Sequence, residues 1–210
     1  MRLINIAIDI IKSNGLVSIP IILRLSYEKL YRILFYNNNI RIDSRTHIIN
    51  VKKIKFMGRF KCGPYNRIEV IRNFKNIEFS PSLIFGNNVT IQDCCHIGCA
   101  NKIIIGDNVH IASKVLITDH NHGRYSGVNQ SSPLLDTQER ELVLSTITIG
   151  KNIQISDGAV ILPGVKIGDG CFIGSNTVVN RDIPSYSIAV GNPARIIKKY
   201  NFVSECWEKI

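Results

Sequence analysis

Two imidazoles stand two residues apart in Asp119-His120-Asn121-His122-Gly123. They open a polar stretch, TDHNHGRYSGVNQSSPLLDTQERELVLST, which lacks the repeat found elsewhere and carries Gly, Ser, Asn and Pro. A histidine on such a stretch is a poor candidate for core packing. A neutral imidazole titrates near pH ~6.5, so at pH 7 it can take a proton from a weakly acidic group. His120 is read as a general base, with Asn121 and His122 beside it as groups that meet the molecule being deprotonated. A second cluster lies near the C-terminus. Asn180-Arg181-Asp182-Ile183-Pro184 precedes Ala189-Val190-Gly191-Asn192-Pro193-Ala194-Arg195, with Lys198 and Lys199 beyond. Guanidinium and ammonium groups beside small residues suit a ligand with several phosphates. A solvated basic tail is the plainer alternative.

The stretch that could hold these groups in place begins at Ile149. Ile149, Ile155, Ile161, Ile167, Ile173 and Val179 fall six apart. Ile153, Ala159, Val165, Cys171, Thr177 and Ile183 sit four residues after each. Self-similarity at a fixed period marks a solenoid. Six is a multiple of two and not of 3.6, and Pro163 would break a helix. The period predicts short strands joined at corners, three faces to a coil of about eighteen residues. Successive coils would stack at ~4.8 Å. The six-apart Ile and Val would point inward, and the small residues would fill the corners. Gly150, Gly168 and Gly174 are expected to supply turns with positive φ.

The phase extends backward, with a break. FGNNVT IQDCCH IGCANK, two extra residues, then IGDNVH IASKVL I carry it from Phe85 to Ile117. It resumes only at Ile149, so residues 119–146 read as one long inserted loop reaching off the column. Between Ile40 and Ser82 the period is ragged. Phe56, Cys62, Ile68 and Phe74 are six apart; Phe79, Phe85, Ile91 and Ile97 continue after a slip of one.

The chain has 210 residues, long enough for one extended domain, and a net charge of +10. That excess suits nucleic acid, an anionic membrane surface or a phosphorylated ligand. The interleaved aromatics of a base-stacking platform are absent, which argues against nucleic acid. Residues 1–39 are of another kind. Gly15 and Pro20 divide them into two expected helices, roughly 2–13 and 20–36. They form a helical cap over one end of the column, or an amphipathic arm resting on lipid. The uncharged run between Lys12 and Arg24 is shorter than the ~20 residues a spanning helix needs. Residues 40–199 make the repeat domain. Residues 200–210 read as a short C-terminal capping helix anchored by Trp207. Cys62, Cys94, Cys95, Cys99, Cys171 and Cys206 show no C-x-x-C pair or disulfide framework, in keeping with a reducing, cytoplasmic setting. Cys95 and Cys171 read as small inward hydrophobes.

Taken jointly, these motifs resemble a known family. The hexapeptide coils, the Asp119-His120-Asn121-x-Gly123 root, Ile161-Leu162-Pro163-Gly164-Val165-x-Ile167-Gly168, and the two C-terminal motifs are similar to the left-handed β-helix, hexapeptide-repeat acetyltransferases over roughly residues 80–200. Within them the chain most resembles bacterial O-acetyltransferases of O-antigen and capsule synthesis, relatives of galactoside and maltose acetyltransferase. The resemblance implies an all-β solenoid, a left-handed parallel β-helix, assembled as a homotrimer with active sites between neighbouring prisms. It implies acetyl-CoA as donor and no metal. It implies His120 as base, and Ser175, Asn180, Arg181, Arg195 and Lys198 as coenzyme A contacts. The acceptor-binding position falls near Gln92-Asp93. The implied acceptor is a sugar or lipid-linked glycan. The setting is read as cytoplasmic, and the amphipathic alternative for residues 1–39 places the enzyme at the inner face of the cytoplasmic membrane through a peripheral contact. Rival readings on the same column are a sugar N-acetyltransferase, a γ-carbonic-anhydrase-like metal hydratase using His96, His110, His120 and His122, and a non-catalytic scaffold or lectin-like module.

Overall fold

The computed structural model describes residues 39–210. The two helices expected over 2–13 and 20–36 lie outside the described residues. From Ile40 onward the chain visits three parallel sheets in strict rotation. The first face takes Ile40–Ile42, Phe60–Cys62, Val89–Ile91, His110–Ile111, Gln154–Ile155, Phe172–Ile173 and Ser187–Val190. The second takes His47–Ile49, Arg67–Val70, His96–Cys99, Leu116–Thr118, Val160–Ile161 and Val178–Val179. The third takes Ile54–Phe56, Ser82–Phe85, Lys102–Ile105, Thr146–Ile149 and Lys166–Ile167, with Ile183 bridging to Ile167. A chain that pairs each strand with the one a full turn later is a parallel β-helix of three faces.

The register follows from the hexapeptide phase. Ile91, Ile111, Ile155 and Ile173 stack in one inward column. Ile68, Ile97, Ile117, Ile161 and Val179 make the second. Phe85, Ile105, Ile149 and Ile167 make the third. All are buried, as are Ile153, Ala159, Val165, Cys171, Thr177 and Ile183 at the corners. Each buried aliphatic side chain contributes about 1.5–3 kcal/mol of transfer free energy. Where the early coils lack Ile, Phe56, Phe60 and Phe85 fill the space, with ring centroids 4.7–5.7 Å apart.

Three local expectations are corrected. Positive φ at the corners is carried mainly by Asn88, Asn108, Asn152 and Asn176, and by Gly158, Gly164 and Gly170. Gly150, Gly168 and Gly174 are not among the positive-φ residues. Glycine follows the inward Ile for lack of room: a Cβ on Gly106 would stand 2.5 Å from the Gly150 carbonyl oxygen of the next rung. Gly106→Ala should therefore cost about 1–3 kcal/mol by overpacking. At this chain length that is a drop in melting temperature of about 2–4 °C per kcal/mol. A melting curve identical to that of the parent protein would show that the rungs can part at this corner.

Phe74 and Phe79 leave the inward phase. Between Arg67–Val70 and Ser82–Phe85 the chain makes a side hairpin, Asn73–Phe74 against Ile77–Glu78, turning at Lys75 with φ 54°. The C-terminus is also not helical. Arg195–Asn201 pairs antiparallel with Ser187–Val190, and Cys206–Lys209 pairs antiparallel with Arg195–Asn201. A segment this short is marginal as a lone helix, whereas here the edge of the first sheet offers hydrogen bonds. The Asn201 side chain accepts from the Val203 N–H at 2.8 Å and shapes the turn. The Trp207 ring meets Tyr200 across the strands at 5.3 Å.

Candidate active site

The inserted segment has its own stem. His120–His122 pairs antiparallel with Leu142–Leu144, so His120 sits on a strand and not on an irregular loop. The Ser145 N–H donates to the Asp119 carbonyl at 2.8 Å, so the chain leaves the coil and rejoins it at one point. Inside the insertion, Arg140 donates to the Tyr125 hydroxyl at 2.9 Å, which donates to the His122 carbonyl at 2.6 Å. The side hairpin braces it from outside. Lys75 pairs with Glu139 at 3.0 Å, and the Phe74 ring meets the His122 ring edge-on at 5.4 Å.

Asp119 is the residue the sequence did not single out. Its side chain is fully buried, and both oxygens are used. Oδ1 accepts from the Ala100 N–H and Oδ2 from the Asn101 N–H, each at 2.8 Å. Oδ1 also lies 3.0 Å from Nδ1 of His120, whose side chain is 11 % exposed. A buried carboxylate fixed by two backbone donors holds the Nδ1–H tautomer and leaves Nε2 free to accept a proton. The Thr118 hydroxyl donates to the His120 carbonyl at 3.2 Å and stands 3.3 Å from the same Nδ1.

A second carboxylate–imidazole pair lies on the adjoining strands. His96 Nε2 is 3.0 Å from Glu69 Oε2, and Arg67 donates to Glu69 Oε1 at 2.7 Å. Burial alone would raise the Glu69 carboxyl. Hydrogen bonds from Arg67 and His96 outweigh it and hold the group below its ordinary range. Between the pairs lies Gly98, where a Cβ would meet His120 Cε1 at 3.2 Å and His96 Nε2 at 3.8 Å.

The other residues singled out in the sequence fall along the prism. Asn180 and Arg181 follow Val178–Val179, on the edge between second and third faces. That edge also bears the root of the insertion, two rungs away by the register Ile117, Ile161, Val179, or about 10 Å. Ser175 turns the chain from the first face to the second. Arg195 and Lys198 pair with Val190 and Ile188 on the C-terminal hairpin. Among the described residues Arg181, Arg195 and Lys198 have no carboxylate within ion-pair distance, which leaves three cations open to an anionic ligand. Gln92 and Asp93 turn from first face to second. Asp93 accepts from the Ser113 hydroxyl, a bond that holds its carboxyl below the usual range. None of the hydrogen bonds or ring contacts of the described residues joins Gln92 or Asp93 to His120.

The cysteines are free, and burial pushes the Cys62 thiol up to about 12 and Cys95 up to about 11. Such thiols are inert packing groups. Cys94 is exposed at the turn before the His96 strand. Among the described residues no three His, Cys, Asp or Glu side chains are grouped to hold a metal ion.

Comparison with known proteins gives the family and agrees with the fold. A family model described as bacterial transferase hexapeptide (six repeats) matches residues 146–181. WbbJ of Escherichia coli (strain K12), provisionally named a lipopolysaccharide biosynthesis O-acetyl transferase, is 36 % identical over 189 residues, covering 89 % of this chain and 92 % of its own. The chain belongs to the hexapeptide-repeat acetyltransferases. A second relative of this acetyltransferase is the dTDP-4-amino-4,6-dideoxy-D-glucose acyltransferase of Escherichia coli. It is 31 % identical over 168 residues, covering 70 % of this chain and 85 % of its own. Among solved structures, a point mutant of AntD, an N-acyltransferase from Bacillus cereus in complex with dTDP-4-amino-4,6-dideoxyglucose and coenzyme A, shares the fold. Its TM-score is 0.55 at 21 % identity, covering 85 % of this chain and 91 % of that one.

Proposed function

We propose that this acetyltransferase moves the acetyl group of acetyl-CoA to a hydroxyl of a sugar in a surface polysaccharide of the O-antigen or capsule type, or in its precursor. The observation that carries the proposal is the Asp119–His120 pair at the root of the insertion, with Nε2 free. A sugar hydroxyl is too weakly acidic to attack a thioester unaided. His120 accepts its proton as the oxygen attacks the thioester carbonyl. The carbon–sulfur bond then breaks, and the proton passes to the departing thiolate. No covalent enzyme intermediate is needed, because the thioester is already activated.

Ser175, Asn180, Arg181, Arg195 and Lys198 are the coenzyme A contacts in this scheme. The open cations among them suit its phosphates. Arg195→Ala should raise the KM for acetyl-CoA about tenfold, the scale for losing a charged hydrogen bond. A rise confined to the KM of the acceptor would remove Arg195 from that role. Gln92, Asp93, Asn121 and His122 are assigned to the acceptor. The protein is further proposed to be a left-handed, cytoplasmic homotrimer with active sites between prisms. Arg2, Lys12, Arg24, Lys29 and Arg32 support a peripheral contact of the N-terminal segment with anionic lipid at the inner face of the membrane.

The 31 % identity to an acyltransferase of a 4-amino sugar favours a second reading, an amine in place of the hydroxyl. One experiment separates them. Acetyl-CoA consumption is followed across hydroxyl and amino sugars, and mass spectrometry locates the acetyl before and after mild alkali. An alkali-labile product supports the ester; a stable one supports the amide; no thiol release with any acceptor would sink both.

A further inference from the structure

Glu69, Gly98 and Thr118 are register partners in one column of the second face. Gly98 is the odd member, since glycine inside a strand marks a place where something approaches the backbone closely. Here the His120 and His96 rings come within 3.2 and 3.8 Å of where a Gly98 Cβ would stand. Both imidazoles lie within 4 Å of the place a Gly98 Cβ would take, and a carboxylate holds each.

The two carboxylates differ in what they have left to offer. Asp119 is wholly buried and its donors are the Ala100 and Asn101 N–H groups and His120. Glu69 keeps a side-chain exposure of 12 % and takes one donor per oxygen, from Arg67 and His96. A carboxylate has about four lone-pair positions, so Glu69 has room for a further donor. Its ionised state makes it an acceptor only. The strand that carries it, Arg67–Val70, runs into the hairpin whose Phe74 ring meets His122 edge-on, so one segment bears the carboxylate and touches the stem of the insertion.

We propose that Glu69 reads the acceptor: its carboxylate takes a hydrogen bond from a donor neighbouring the group that His120 deprotonates. The site then selects a sugar with adjacent donors over an isolated alcohol. Glu69 is thereby a specificity residue, with Arg67 and His96 as the groups that position it. This rests on His120 as the base, and the test separates the two.

The full chain is assayed with acetyl-CoA and the best acceptor of a set of methyl glycosides. The monodeoxy analogues lacking a hydroxyl beside the acetylated position are run in parallel. Acetyl-CoA hydrolysis without acceptor is measured as thiol release. Loss of one hydrogen bond to a charged group is worth about 10–100-fold. The parent enzyme should lose that much in kcat/KM on one deoxy analogue. Glu69→Gln should lose it on the intact glycoside and nothing more on the analogue. Its KM for acetyl-CoA and its acceptor-free hydrolysis should not change. Glu69→Asp, which keeps the charge but withdraws it by one carbon–carbon bond, should show the same loss of discrimination if Glu69→Gln fails to fold. Full discrimination by either folded variant overturns the proposal. So does slowed hydrolysis in proportion to transfer, because the variant would then have disturbed His120. A parent enzyme that consumes no acetyl-CoA with any acceptor or with water removes the His120 reading, and this proposal with it; discrimination unchanged in an active variant removes Glu69 alone.

Discussion

Replacing His120 with alanine should lower kcat by about 10²–10⁴-fold, the range for losing a positioned acid–base group. The loss should appear equally in kcat and in kcat/KM, because the proton is transferred only in the transition state. Little stability should go with it, since the ring lies on the stem of an insertion and not in any of the three inward columns. The KM for acetyl-CoA should stay near its original value, because the cations assigned to the donor sit two rungs away and on the C-terminal hairpin. The measurement is steady-state thiol release by variant and parent at equal folded concentration. Undiminished kcat in a folded variant would take the base away from His120.

Asp119→Ala should be nearly as costly to catalysis and far more costly to the fold. Without the carboxylate, the group left beside Nδ1 to fix its tautomer is the Thr118 hydroxyl at 3.3 Å. The Ala100 and Asn101 N–H groups lose their acceptor where the Ala100 residue is buried. An unsatisfied buried donor costs about 1–3 kcal/mol, so melting should fall measurably. The decisive measurement is the double variant. If Asp119 acts through His120, the pair acts as a unit, and His120→Ala with Asp119→Ala should turn over no more slowly than His120→Ala alone. Multiplying losses would mean that Asp119 has a separate role in the reaction. Normal kcat in Asp119→Ala with lowered melting would leave it only a buried cap for the backbone at residues 100–101.

The column is legible in the sequence because its cause is local. Ile149, Ile155, Ile161, Ile167, Ile173 and Val179 each repeat one geometric requirement, and all are buried as the period demands. His120 stands out as a candidate because it lies just past Ile117, where the period stops. Its partner does not: Asp119 reads as one more polar residue until the backbone at Ala100 and Asn101 is seen to need an acceptor. Glu69 and His96 are 27 residues apart, and the excursion from Arg72 to Phe79 hides that they occupy neighbouring rungs. That excursion is also why Phe74 and Phe79 keep the phase in the sequence and leave it in space. The C-terminal segment reads as a helix in isolation because its outcome depends on a partner: the open edge at Ser187–Val190 makes it a strand.

The single departure and return point of the insertion, closed by the Ser145 N–H on the Asp119 carbonyl, separates two kinds of heredity in this molecule. Beyond the stem strands, residues 123–141 can lengthen or shorten while the stacking of Ile117 on Ile161 and of Ile105 on Ile149 goes on undisturbed. A lineage can thus vary the outer part of the insertion with no renegotiation of the scaffold beneath it.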